Sequence, residues 1–260
     1  MSLAQDGTER RERLASKRHQ RAQRALALML EFQKDKARDF IETGYDPSQD
    51  LLVRSLDVRT RLEKFQRITA DARVLEVGSG AHGLIFFFGA QRGIGVDPLA
   101  HHYVKLFPAW QRRVATVSAY GEALPFPDNS FDVVLSDDVL DYSEDPAAII
   151  AEMARVLAPF GALYFTVNIC HPVWNAGRML REVADFHTTH ISLRRARRFF
   201  KQAPLRIVWE SQDITETRAA IRNRRERRLR AWVKSVFYYK ARFAAIAIRD
   251  PDNEIGLEEC

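Results

Sequence analysis

The chain predicts a doubly wound α/β fold built on a mostly parallel sheet, and three observations carry that expectation. Short apolar runs alternate with amphipathic helical patterns, as they do when a sheet is covered on both faces. One run, Arg73 to Val77, carries an acid near its end and then dissolves into Gly78-Ser79-Gly80-Ala81-His82-Gly83. A second short run, Gly93 to Asp97, follows and also ends in an acid.

The elements follow in order. A helix is expected from Thr8 to Thr43, with a basic, solvated start (Arg10, Arg11, Arg13, Lys17, Arg18, Arg21, Arg24) and a docked second half holding Leu26, Leu28, Met29, Leu30 and Phe32. A turn at Gly44 to Ser48 leads to a helix from Leu51 to Phe65, with Val53, Leu56, Val58 and Leu62 on its apolar side. Strands are expected at Arg73 to Val77, Gly93 to Asp97, Ala115 to Ser118, Phe131 to Ser136 and Ala162 to Val167. Before the fifth, Asp145 as N-cap and Pro146 at the first helical position start a helix with Ile149, Ile150, Met153, Val156 and Leu157 at helical spacing. Pro159 and Gly161 stop it. Leu205 to Trp209 and Ala244 to Ile248 supply the last two of seven strands, with a basic helix, Arg218 to Lys234, inserted between them. Residues 1–70 thus read as a helical N-terminal extension and 71–250 as the sheet domain.

The glycine-rich turn points to a nucleoside-like or anionic ligand. Gly78 and Gly80 lack the Cβ that blocks positive φ or holds a ligand off the backbone. Asp97 stands where a doubly wound fold hydrogen-bonds ribose hydroxyls. Glu76 separates two cofactors, because a carboxylate before the glycines repels a pyrophosphate and favours a cation. S-adenosylmethionine, with its ribose, sulfonium and ammonium, suits both acids.

A third segment, Gly121-Glu122-Ala123-Leu124-Pro125-Phe126-Pro127-Asp128-Asn129-Ser130-Phe131-Asp132, completes the pattern. Together with Glu76 to Gly80 and Asp145-Pro146 through Leu157, it resembles the class I S-adenosylmethionine-dependent methyltransferases, in the branch of the ubiquinone and menaquinone biosynthesis enzymes, over roughly Val74 to Val167. The resemblance implies a Rossmann-like seven-stranded sheet with an antiparallel last strand. It implies cofactor contacts from Gly78, Ser79 and Gly80 with Glu76 behind them, from Asp97 to the ribose, from Leu99 near the adenine, and from Gly121 and Glu122 at the adenine edge. Asp137 would face both cofactor and acceptor, and residues 171–200 and 211–242 would form acceptor-side helical segments. The chain departs from the family at Tyr120, where an acid is usual, at Tyr142 in place of a common His, and at Pro159-Phe160-Gly161 in place of Pro-Gly-Gly.

Composition bounds the remaining classes. At 260 residues with 46% hydrophobic content and a net charge of +6, the chain can bury a large core. No run reaches the length of a membrane span, and the polar start does not read as a secretory signal. Cys170 and Cys260 make neither a metal spacing nor a disulfide framework, which fits a reducing, cytoplasmic setting. Two further basic clusters, Arg194 to Arg198 and Arg222 to Arg230, leave open contact with nucleic acid or with membrane headgroups at the periphery.

Methyl transfer from a sulfonium needs alignment and exclusion of water more than covalent catalysis. Asp137, His171 and His190 are the candidate catalytic groups, for positioning or as a base; His187 is a further candidate. His187 and His190 lack a third metal ligand, and no metal is expected. The absence of Asn-Pro-Pro-aromatic after the fourth strand, where Ser136-Asp137-Asp138-Val139 stands, argues against exocyclic-amine methylation in the usual manner. The expected activity is O- or C-methylation of a small molecule, a glycan or a lipid-linked intermediate. An RNA methyltransferase and a non-catalytic protein retaining the fold are the alternatives.

Overall fold

The structure, a computed structural model, describes residues 2–143, 145–170, 191–214, 241–250 and 252, and only the backbone for residues 2–19, 21 and 141. Seven strands form one sheet: β1 (Arg73–Val77), β2 (Arg92–Val96), β3 (Ala115–Val117), β4 (Phe131–Asp137), β5 (Leu157–Ile169), β6 (Leu205–Asp213) and β7 (Ala241–Arg249). Their order is β3-β2-β1-β4-β5-β7-β6. The first five run parallel, with Leu75 beside Ile94 and Val134, while β7 is antiparallel to both β5 and β6. This is the expected mostly parallel sheet with one antiparallel strand. The last two strands and β5 run longer than their apolar cores suggest, because ladder pairing continues through polar residues such as Asn168 and Gln212.

Alternation along β1 divides the core. Leu75 and Val77 face a layer made by α5 (Pro146–Val156) and α6 (Leu193–Lys201), where Ile149, Met153, Phe165 and Phe200 are fully buried. Asp145 caps α5 by accepting from the Ala147 and Ala148 N–H groups, as its sequence indicates. In α6, the described part of the 171–200 segment, Ala196, Phe199 and Phe200 pack against the sheet and the arginines point outward.

Val74, Val133, Leu135 and Tyr164 face the other layer, and here the expectation fails in an instructive way. No α-helix crosses from β1 to β2; the run Leu84–Phe87 forms one buried 3₁₀ turn. Its place is filled from the extension by α2 (Ser48–Leu62), whose Ser55 hydroxyl donates to the Leu84 carbonyl at 2.9 Å. Arg59 of α2 donates to the carbonyls of Phe88, Gly89 and Ile68 at 3.0 to 3.2 Å. The buried face of α2 is therefore Leu51, Ser55, Val58 and Leu62, while Val53 and Leu56 of the expected apolar side are exposed. The first helix, α1 (Ser2–Thr43), likewise turns Leu26, Met29 and Leu30 inward but leaves Leu28 and Phe32 exposed. Two short helices, α3 (Ala100–Leu106) and α4 (Pro108–Gln111), complete this layer. Among the described residues no helix is long and apolar enough to cross a membrane.

Candidate functional site

A cavity of about 560 Å³ opens at the carboxyl ends of the parallel strands. Gly78 and Gly80 border it after β1, Asp97 and Leu99 after β2, Gly121 and Glu122 after β3. These are the six of the sequence-predicted cofactor residues that reach it. After β4, Asp138, Val139 and Tyr142 line it.

The glycine turn is built by local sterics and held from beneath. Gly78 has φ of +72°, and a Cβ there would stand 2.3 Å from a Val139 methyl, so both backbone and packing demand glycine. Its N–H and that of Ser79 donate to the Val96 carbonyl at 2.7 and 3.0 Å. Gln111 donates to the Gly80 and Ala81 carbonyls at 3.0 Å, and the Trp110 indole donates to Ala81 at 2.7 Å. The turn is thus held at both its start and its middle by bonds to the layer beneath. Ser79 itself is 2% exposed, packs toward Gly95 and does not border the cavity.

Glu76 lies beneath that turn, not in the cavity. Alternation places it on the Val74 face, where its two carboxylate oxygens accept from the Leu84 and Ile85 N–H groups at 3.1 and 2.8 Å. It therefore caps the 3₁₀ turn that replaces the crossover helix, and a Cβ on Gly83 would strike it at 2.4 Å. Burial, reinforced by the neighbouring charge of Asp137, pushes its pKa up to about 8. The expectation of an anion facing a cationic ligand is corrected to a buried capping acid.

Asp97 lies at the junction of two loops. Its oxygens accept from the Gly80 N–H at 3.1 Å and the Leu99 N–H at 2.8 Å, which ties the glycine turn to the loop after β2. Burial raises its pKa to about 6, the two N–H donors opposing the rise. Each oxygen accepts only one bond from the chain and so keeps acceptor capacity, and Asp97 borders the cavity.

At the end of β4 the two acids part company. Asp137, 9% exposed at its side chain, is held by Arg54 of α2, by Arg242 of β7 at 2.5 Å and by the Thr166 hydroxyl at 2.7 Å. It does not border the cavity. Asp138, with φ of +56°, turns back into it while keeping an ion pair to Arg242 at 3.1 Å. Both acids reach the Thr166 hydroxyl and Arg242, but the left-handed backbone of Asp138, one residue past the end of β4, turns the chain so that it and not Asp137 borders the cavity.

One wall was not legible in the sequence. The inner face of α1 (Ala22, Ala25, Leu26, Met29 and Gln33) closes the cavity from the side opposite the sheet. Gln23 donates to the Tyr120 hydroxyl at 3.1 Å, so the tyrosine standing where the family has an acid reaches the extension. Its apolar i, i+3, i+4, i+7 spacing marks a docked face but names no partner for it. His171, His187 and His190 lie outside the described residues, as do Arg222 to Arg230 and the side chains of the basic start of α1. Tyr142 borders the cavity, and Glu122 accepts from Ser143 Oγ at 2.5 Å.

Residues 75–165 match a family model described as "Methyltransferase domain". The chain is 36% identical over 99 residues to malonyl-[acyl-carrier protein] O-methyltransferase of Halorhodospira halophila, covering 36% of this chain and 34% of that one. It is 31% identical over 141 residues to ubiquinone biosynthesis O-methyltransferase of Pseudomonas fluorescens, covering 49% and 56%. The matches thus span about a third and just over half of those relatives. Among solved structures, geranyl diphosphate C-methyltransferase from Streptomyces coelicolor, in complex with Mg²⁺, geranyl diphosphate and S-adenosyl-L-homocysteine, aligns with a TM-score of 0.56 at 15% identity, over 75% of this chain and 77% of that one.

Proposed function

We propose, from the class I S-adenosylmethionine-dependent methyltransferase domain this chain carries, that the protein transfers a methyl group from S-adenosylmethionine to a small-molecule acceptor by O- or C-methylation. The observation that carries the cofactor reading is Asp97, half-buried at the rim of the cavity with each oxygen already accepting from one backbone N–H. The chain's residues fit that cofactor: the glycine turn leaves room that a Cβ at Gly78 would fill, and Gly121 and Glu122 border the far end.

When bound, the cofactor supplies an electrophilic methyl on a sulfonium whose departure leaves a neutral thioether. The chain's own part is to bind, orient and exclude water. Asp97 accepts from ribose hydroxyls, Leu99 and Tyr103 give apolar contact, and Asp138, anchored by Arg242, positions the end nearest β4. Asp137 keeps that anchor in register and is a positioning residue. The cavity's apolar α1 wall keeps bulk water from the site.

The relatives named for O-methylation and the structural neighbour named for C-methylation act on small or carrier-borne organic acceptors, and they support that acceptor class over nucleic acid. A lipid-linked or glycan acceptor falls within the same proposal, as does a cytoplasmic setting. Titration with S-adenosylmethionine and S-adenosylhomocysteine by calorimetry, beside Asp97→Ala, tests it. Saturable binding lost in the variant supports the reading, and no binding to the wild type overturns it.

A further inference from the structure

Tyr120, in the loop after β3, borders the cavity from the sheet side and is 46% exposed. Gln23 stands on the opposite wall, on α1 between Ala22 and Ala25, which border the same cavity. The exposed hydrogen bond from Gln23 Nε2 to the Tyr120 hydroxyl, 3.1 Å long, therefore joins the two walls across the rim.

Packing along α1 is graded. Near its C-terminal end the Phe40 ring meets those of Tyr45, His82 and Phe107 edge-on, with centroids 5.2 to 6.1 Å apart, and Ala37 is buried. At the rim the wall is made by Ala22 and Ala25 with a half-buried Leu26, and alanines have little apolar area to lose. A helix anchored at one end by large rings and at the other by alanines and one hydrogen bond opens most readily at the latter.

We infer that Gln23 and Tyr120 form a latch: α1 is a strap over the cofactor cavity, and release of this one hydrogen bond sets how fast the cofactor and its demethylated product exchange. This rests on the cofactor reading above. The latch is made by the chain's own groups, so it favours the covered state equally with and without ligand. Losing it speeds entry and exit together and leaves affinity nearly level. Tyr120 and Gln23 are thus positioning residues, acting through α1.

The test compares the full chain with Tyr120→Phe, Gln23→Ala and the double variant by surface plasmon resonance with S-adenosylhomocysteine, beside urea denaturation. Tyr120→Phe keeps the ring and Gln23→Ala suits a helix, so each removes the bond alone. Association and dissociation rates are each expected to rise roughly two- to tenfold in both single variants, with Kd nearly level. The double variant should be no faster than either single one, because both remove the same bond. Faster dissociation alone, confined to Tyr120→Phe, would make the hydroxyl a ligand contact and overturn the latch. Unchanged rates in both single variants overturn it as well, and a lowered urea midpoint would then show the bond to be structural only. Absence of binding to the wild type overturns the cofactor reading and the latch with it.

Discussion

The Glu76 carboxylate on β1 and the Ile85 N–H are joined by a 2.8 Å hydrogen bond inside the core, so an acid eight residues upstream of the 3₁₀ turn serves as its cap. Its folded-state pKa, about 8, stands above the ordinary carboxylate value. The folded chain therefore holds a proton that the unfolded chain releases, and the stability associated with it is lost as pH rises from about 4.5 to 8. Wild-type stability should fall across that window by on the order of 1 kcal/mol per pH unit relative to Glu76→Gln. Urea denaturation at pH 5, 6.5 and 8 checks this, and parallel profiles for the two proteins would refute the assignment.

Cofactor affinity should respond to acid through Asp97. Its carboxylate form accepts from ligand hydroxyls, and burial places its pKa near 6. Binding of S-adenosylhomocysteine is expected to be level above pH 7 and to weaken about tenfold by pH 5, one unit below that pKa. Asp97→Asn should bind weakly with no such dependence.

Gly78→Ala should fail for two reasons at once. Its φ of +72° is strained for alanine and the new methyl would collide with Val139. Strain and overpacking together are expected to cost about 3 kcal/mol, with loss of cofactor binding. A variant as stable as wild type in urea would contradict the steric account.

Phe160 carries a positive φ of +62° in the first residues of β5, just after α5 ends, and is two-thirds exposed. Little packing compensates the left-handed backbone. Phe160→Gly is expected to leave stability level or raise it by up to about 1 kcal/mol, the relief of strain exceeding the added freedom of the unfolded chain. A lower melting temperature would show that the ring holds something in place.

Asp137 and Asp138 should separate structure from ligand contact. Asp137→Ala leaves Arg54 and Arg242 without their shared acid and is expected to destabilise by about 1–2 kcal/mol, screening at the half-exposed arginines limiting the loss. Asp138→Ala should cost less stability and more S-adenosylhomocysteine affinity, because its side chain borders the cavity. Equal effects of the two on both measurements would remove the distinction.

The sequence by itself determined the sheet and the cofactor loops. Glycine spacing, the acids ending β1 and β2, and the Asp145-Pro146 helix start are local signals with local causes, and the strands formed where the apolar runs lie. What only the tertiary structure decided were matters of facing and substitution. Glu76 went under the turn, since a strand's alternation is set by the layers that cover it, and Asp138 took the place foreseen for Asp137, since the chain turns through a left-handed residue just past β4. The crossover after β1 shrank to a 3₁₀ turn because α2 already covered that face, and α1 became a wall of the cavity. An amphipathic stripe records that a helix docks; the surface it docks on is chosen by the rest of the chain.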